Sequence, residues 1–266
     1  MREKILELIQ IKEEIPGINP HELFRIEFLS FSSSTMMAIL GVILFSILAS
    51  RVAKFKLLPS KFQLIVEDIV MFVQNFIVQI INDEDRAKKI MPFVGAIFMF
   101  ILFANLISLV PFLSSITFHG HHVFTASTAD FNTTFALALA SVVIININAI
   151  FENGLFSHLG HFIQIKPIIT GFKKSMGDGF LAIVNFFVGL IEVIGEVAKI
   201  ISLSLRLFGN MFAHEVLTII LLGAFSVGVP AIWMGMGILV GVVQAVVFTA
   251  LITVYYSLTI RTKAHH

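Results

Sequence analysis

Between Glu192 and Glu215, an otherwise apolar stretch carries Glu192, Glu196, Lys199, Arg206, Asn210, His214 and Glu215. Carboxylates and imidazoles pass protons between positioned partners. A guanidinium keeps its proton and attracts anions. An amide orients either kind of group without adding charge. Glu192 and Glu196 lie four residues apart, Lys199 and Arg206 seven, and Arg206, Asn210 and His214 follow in fours. On a helix these positions fall largely on one stripe, with Glu215 about 100° round from His214. An ionisable side chain within a membrane helix costs at least about 2.5–3.5 kcal/mol and marks function by default. The stripe therefore predicts a polar track for ions or protons through lipid.

Arg206 is the sharpest feature of the track. It has apolar turns on both sides and no acidic residue within four positions. A permanent cation in lipid needs an anionic partner, so the sequence predicts a carboxylate supplied by another subunit. Glu192, Glu196 and Lys199 also fit a local helix salt bridge near an interface, the stem of Lys199 buried and its ammonium reaching water. Pairing two long apolar segments about a turn near Phe225 sets Gln244 opposite Arg206 and Gly235 near Glu215. Gly237 and Gly241 form a G-x-x-x-G, which is read first as close packing within that hairpin.

Composition demands lipid around most of these elements. Of 266 residues, 57% are hydrophobic and 13% charged, with a mean hydropathy of +0.95. A soluble domain carries about 25% charged residues. A net charge of +1 excludes nucleic acid as an expected partner. The absence of cysteine excludes disulfides and thiolate metal sites. No secretory leader is expected at the N-terminus.

Residues 1–30 read as an extramembrane, mixed-charge segment with a short amphipathic helix ending near Pro16-Gly17. A first span is expected over 35–53, closed by Arg51, Lys54, Lys56 and Lys61 on the cytoplasmic side. Apolar residues at three- and four-residue steps over 61–81 predict an amphipathic helix at the interface rather than a span. A polar turn over 82–89 follows. Spans are expected over 90–113 and 132–151, joined by an outer loop containing His119, His121 and His122. Those histidines read as solvated before they read as a metal site. Basic residues in alternate loops place the N-terminus outside and the C-terminus inside.

The stretch 179–225 is too long for an upright span. As one helix it would measure roughly 70 Å, against a hydrocarbon core of about 30 Å. Either it breaks at Gly189, Gly195 or Gly209, or it is strongly tilted, beyond the usual limit of about 40°. With 231–260 it forms an antiparallel hairpin turning near Ser226 to Val229. The fold class expected is an all-α polytopic membrane protein.

The string Ser204-Leu205-Arg206-Leu207-Phe208-Gly209-Asn210-Met211, with Glu215, Gln244-Ala245 and Tyr255, resembles the a subunit of F-type rotary ATP synthases. The likeness continues through Ser60-Lys61-Phe62-Gln63, Asn105-Leu106 before Pro111, and Asp130-Phe131-Asn132-Thr133-Thr134. It implies a tilted hairpin packed against a ring of c subunits, in a proton-translocating stator with two offset half-channels. Arg206 resembles the arginine that faces the ring carboxylate, favours its deprotonation and blocks a direct leak. Glu215 and His214 resemble relays of the outer half-channel; Glu192, with Glu196 one turn on, resembles the inner one. Asn210 and Gln244 resemble supports of the arginine. The implied partners are the c-ring, b-type peripheral-stalk subunits and the remaining F1Fo complex, in a bacterial inner membrane or alternatively a mitochondrial inner or thylakoid membrane. Many bacterial relatives carry Gly, Asp or Ala where His214 stands, and some pair Gly there with a histidine at the position of Gly237. His214 with Gly237 resembles an exchanged arrangement. Ser108 stands where some relatives carry an acid.

No cofactor, metal or nucleotide is expected on this chain. Gly171-Phe172-Lys173-Lys174-Ser175 lacks the first glycine of a phosphate loop, and His214-Glu215-Val216-Leu217-Thr218 falls short of H-E-x-x-H. The competing reading is a self-contained ion-coupled secondary transporter, which ordinarily shows internal repeats; none is visible. A passive membrane scaffold is the third.

Overall fold

The computed structural model describes residues 22–26, 29–52, 61–110, 117–118, 121–122, 125–153, 176–224 and 228–261. The expected helix near Pro16-Gly17, His119 and the inner loop after 153 lie outside these residues. Helices dominate: α1 Ser33–Val52, α2 Lys61–Ile81, α3 Glu84–Ser108, α4 Phe131–Asn153, α5 Met176–Ala224 and α6 Gly228–Arg261. Two short antiparallel ribbons accompany them, β1 Glu22–Ile26 with β2 Leu29–Ser32, and β3 Thr117–Phe118 with β4 His121–His122. The all-α class stands, although β1 and β2 were not expected from the sequence. By length and composition, α2, α3, α4 and α6 can each cross a membrane, so the chain is multi-pass.

Several boundaries differ from the expected ones for local reasons. The polar turn shrinks from 82–89 to Asn82-Asp83. Asn82 takes a positive φ of 58° and its N–H bonds the Val78 carbonyl at 2.8 Å, closing α2. The Asp83 carboxylate then accepts the N–H groups of Asp85 and Arg86 at 3.1 and 3.2 Å, opening α3 six residues before the expected start. Glu84 and Asp85 favour that first turn further. At its far end α3 stops at Ser108 rather than 113, because Pro111 disfavours helix in the residue before it and lacks an N–H. Helix α6 begins earlier than expected, at Gly228 rather than Ala231; Pro230 sits in its first turn, where a missing N–H leaves no bond unmade.

The chain divides into two compact units, and helices α4, α5 and α6 each contribute to both. The first comprises 1–134 and 205–253. Its core follows the α3 stripe Ile90, Val94, Ile97, Ile101 and Ala104, whose three- and four-residue steps keep one face buried. Helix α2 packs on α3 through Val73, Ile77 and Ile81, while its N-terminal half stays largely exposed. Ser32 caps α1, accepting the Thr35 N–H at 3.3 Å. Asp130, buried at the N-terminus of α4, accepts the Asn132 N–H at 2.9 Å and the Ser34 hydroxyl at 2.6 Å. One carboxylate therefore starts α4 and ties it to α1.

The second unit comprises 135–204 and 254–266. Ala138, Val142, Ile145 and Ala149 form a buried stripe on α4, and Leu203, Tyr256 and Ile260 are buried in α5 and α6.

Helix α5 runs 49 residues without interruption. Of the two alternatives, a break at a glycine or one overlong helix, the second holds. A helix of that length measures ~74 Å. Small residues alone do not break a helix when the neighbouring i→i−4 bonds stay intact; Gly195 and Gly209 simply face open space.

Candidate functional site

Within the first unit, Arg206 and Asn210 stand on an exposed face of α5. Among the described residues, neither side chain makes a hydrogen bond or ion pair within the chain. Leu203, Leu207 and Met211, buried at steps of four, anchor the adjacent face. An aromatic ladder steadies the same turns: Phe131 meets Phe208 edge-on at 5.7 Å, and Phe208 stacks on Phe212 at 5.2 Å. The anchoring face fixes the helix rotation, and the guanidinium so placed pairs with no acid among the described residues. Gln244 is buried on α6, and no hydrogen bond joins it to Arg206.

His214 and Glu215 diverge by the 100° that separates successive helical positions. His214 is only 8% exposed, and its Nε2 has no hydrogen-bond partner among the described residues. Its imidazole occupies the space above Gly237: a Cβ there would strike the ring and lie 2.7 Å from Leu109 Cδ2. The exchange of residue size anticipated between positions 214 and 237 is thus a direct contact. Glu215 points elsewhere. Gly235, its expected neighbour, faces open space, and the Glu215 carboxylate accepts the backbone N–H of Ala126 instead. The antiparallel count set Glu215 near Gly235, whereas the contact between the two helices joins His214 to Gly237.

The segment carrying Ala126 forms a further polar layer. Ser127–Ala129 is a single 3-10 turn leading to Asp130. The Thr128 hydroxyl donates to Asn105 Oδ1 at 2.7 Å, and Asn105 Nδ2 donates to the Gly241 carbonyl at 3.2 Å. Asn105 therefore links this turn to both α3 and α6. A Cβ at Gly241 would lie 3.1 Å from Asn105 Cβ, so the second glycine of the G-x-x-x-G admits this amide. Sequence reasoning noticed Asn105 only as part of a motif and missed Thr128 altogether. A polar residue buried in an apolar span was the available signal for the first; for Thr128 there was none.

These contacts set up one prediction. Gly237→Ala should push the imidazole out of its place and lower proton flux about tenfold. Gly235→Ala, with nothing within 4 Å of the added methyl, should leave flux unchanged. Proton pumping in membrane vesicles compares the two directly.

In the second unit, Glu196 is engaged. Lys199 Nζ meets its Oε1 at 2.5 Å and Asn146 Nδ2 donates to its Oε2 at 3.3 Å, bridging α5 to α4. Lys199 also lies over the Tyr255 ring, 5.3 Å from its centroid. The local salt bridge is the reading of Lys199 that holds. Glu192 is half-exposed and makes no hydrogen bond or ion pair among the described residues. Of the two carboxylates, Glu192 is thus the one with its oxygens available.

No cluster of three His, Asp or Glu residues able to hold a metal ion occurs among the described residues. The chemistry present is of another kind: an exposed cation unpaired among the described residues, a buried imidazole, a hydrogen-bonded carboxylate, and two further carboxylates elsewhere on the same helix. That combination defines a polytopic membrane subunit built for ion movement. A family model described as ATP synthase A chain matches residues 32–257. "ATP synthase subunit a" of Citrifermentans bemidjiense is 35% identical over 83% of this chain and 83% of its own length. Proteins of the same name from Crocosphaera subtropica ("subunit a 1", 32% identical over 74% and 71%) and Desulforamulus reducens (35% over 66% and 59%) are also similar. The chain spans 59% of the length of the Desulforamulus protein. The chain belongs to the ATP synthase A chain family, the membrane a subunits of F-type ATP synthases.

Proposed function

We propose that this chain is the proton-conducting stator subunit of a rotary F-type ATP synthase in a bacterial inner membrane, with Arg206 facing the carboxylate of a c-subunit ring. The observation that carries the reading is the exposed guanidinium, without a partner among the described residues, on a helix anchored by its adjacent face. A charge left open in lipid is tolerable only if something outside the chain covers it. A ring carboxylate passing Arg206 would lose its proton to the nearby positive charge. The fixed cation would also repel protons from any direct passage between the two half-channels.

His214 and Glu215 serve the outer half-channel and Glu192 the inner one. Glu196, already bound by Lys199 and Asn146, acts as a brace beside Glu192. Asn210 lies one turn from Arg206 on the same exposed face and is positioned to support it at the ring interface. Gln244 acts by lining the buried side. A membrane potential of 100 mV drives each proton with about 2.3 kcal/mol, and the stator converts that drive into rotation. The chain binds no nucleotide and catalyses no bond change; its partners are the c-ring, the b-type stalk and the rest of F1Fo.

The rival is a self-contained transporter. Purified and placed alone in vesicles, the chain should conduct no protons above background, while vesicles holding the complete complex should pump on addition of ATP. Ion transport by the isolated chain would favour the rival.

A further inference from the structure

Trp233 is the single tryptophan of the chain, and it lies where no part of the reading above requires one. Its indole stacks on the His214 imidazole with ring centroids 5.3 Å apart and planes 17° from parallel. Its ring N–H also donates to the His214 carbonyl at 3.4 Å, an oxygen that the Thr218 hydroxyl bonds at 2.7 Å. Trp233 therefore contacts both the backbone and the side chain of one residue. The third wall is the bare backbone of Gly237 with Leu109 beside it. Stacked on one face and walled on another, the imidazole has few orientations left.

We propose that Trp233 is a positioning residue for the proton relay, holding the His214 ring so that Nε2 stays clear of any fixed partner within the chain. A buried ring nitrogen without a hydrogen bond is costly and rarely kept without use. Here the indole N–H is committed to the backbone carbonyl, so it does not block the imidazole. The indole face also attracts the ring in its protonated form, as any aromatic face attracts a cation. Leu109, Trp233 and Gly237 carry no titratable group, and Glu215 turns to Ala126, so within these contacts the imidazole exchanges protons with mobile species. This inference rests on the relay reading of His214 for its effect on flux, but not for the contact itself.

The test uses the complete complex in membrane vesicles. Trp233→Leu removes both the stacking face and the N–H, whereas Trp233→Phe keeps an aromatic face. ATP-driven proton pumping should fall about fivefold in the Leu variant and be largely rescued in the Phe variant. The emission of Trp233, taken as the difference between wild type and the Phe variant, should brighten in His214→Leu because the quenching imidazole is gone. Equal pumping in wild type and both Trp233 variants, with Trp233 emission indifferent to His214→Leu, would overturn the proposal. If His214→Leu brightens Trp233 but pumps normally, the relay reading of His214 fails and the contact stands.

Discussion

Arg206→Ala should abolish proton-driven ATP synthesis, with a fall of about 100-fold or more, while the complex still assembles. The size follows from removing a preorganised charge from a site of low dielectric. The survival of assembly follows from the structure: the guanidinium is exposed and bonds nothing among the described residues, so its removal orphans no partner there. Surface truncations of that kind change stability by about 0.5 kcal/mol or less. The adjacent helix face, held by Leu203, Leu207 and Met211, is untouched. Arg206→Lys should also be severely impaired, because an ammonium on a flexible stem neither holds the planar fork of a guanidinium nor keeps its proton as firmly. Synthesis rate against complex yield in membranes separates lost function from lost assembly. A passive scaffold would show neither effect.

Glu215→Gln should reduce proton flux about 10- to 100-fold. Glutamine keeps the length of the side chain and an oxygen that still accepts the Ala126 N–H, so the contact with the turn before α4 survives. What it loses is the capacity to carry a proton. Glu215→Asp keeps that capacity on a shorter stem and should recover part of the flux. Leaving the hydrogen bond while removing the proton distinguishes a relay from a structural tie. If Glu215→Gln pumps like the wild type, Glu215 is only a tie for the loop.

Much of this was legible in the sequence because helices in lipid obey simple periodicities. The stripe containing Arg206, Asn210 and His214 could be placed on one helix from spacing alone, since nothing in the stretch ends a helix. The need of Arg206 for a partner outside its own helix followed from the absence of an acid within four positions. The link between His214 and Gly237 came from the resemblance to the family, since the antiparallel count about residue 225 sets 214 against 236. What spacing could not supply was rotation. A hairpin count is blind to the 100° between neighbours, and so it sent Glu215 to Gly235 when Ala126 holds it. Contacts from distant loops were invisible for a related reason. Thr128 reaches Asn105, and Ser34 reaches Asp130, through tertiary folding of short polar segments that have no period. Helix ends were misjudged where caps rather than hydropathy decide them, as at Asp83. The stacking of Trp233 on His214 lay within reach, since both face the hairpin seam, but a lone aromatic in an apolar span carries no signal of its own.

The most direct measurement is the surroundings of Arg206 in the assembled membrane sector, at a resolution that shows side chains. The account predicts a carboxylate of a neighbouring ring subunit within about 4–6 Å of the guanidinium, near enough to favour its charged form. A guanidinium paired with an acid of its own chain, or turned into bulk water with no ring beside it, would contradict the account.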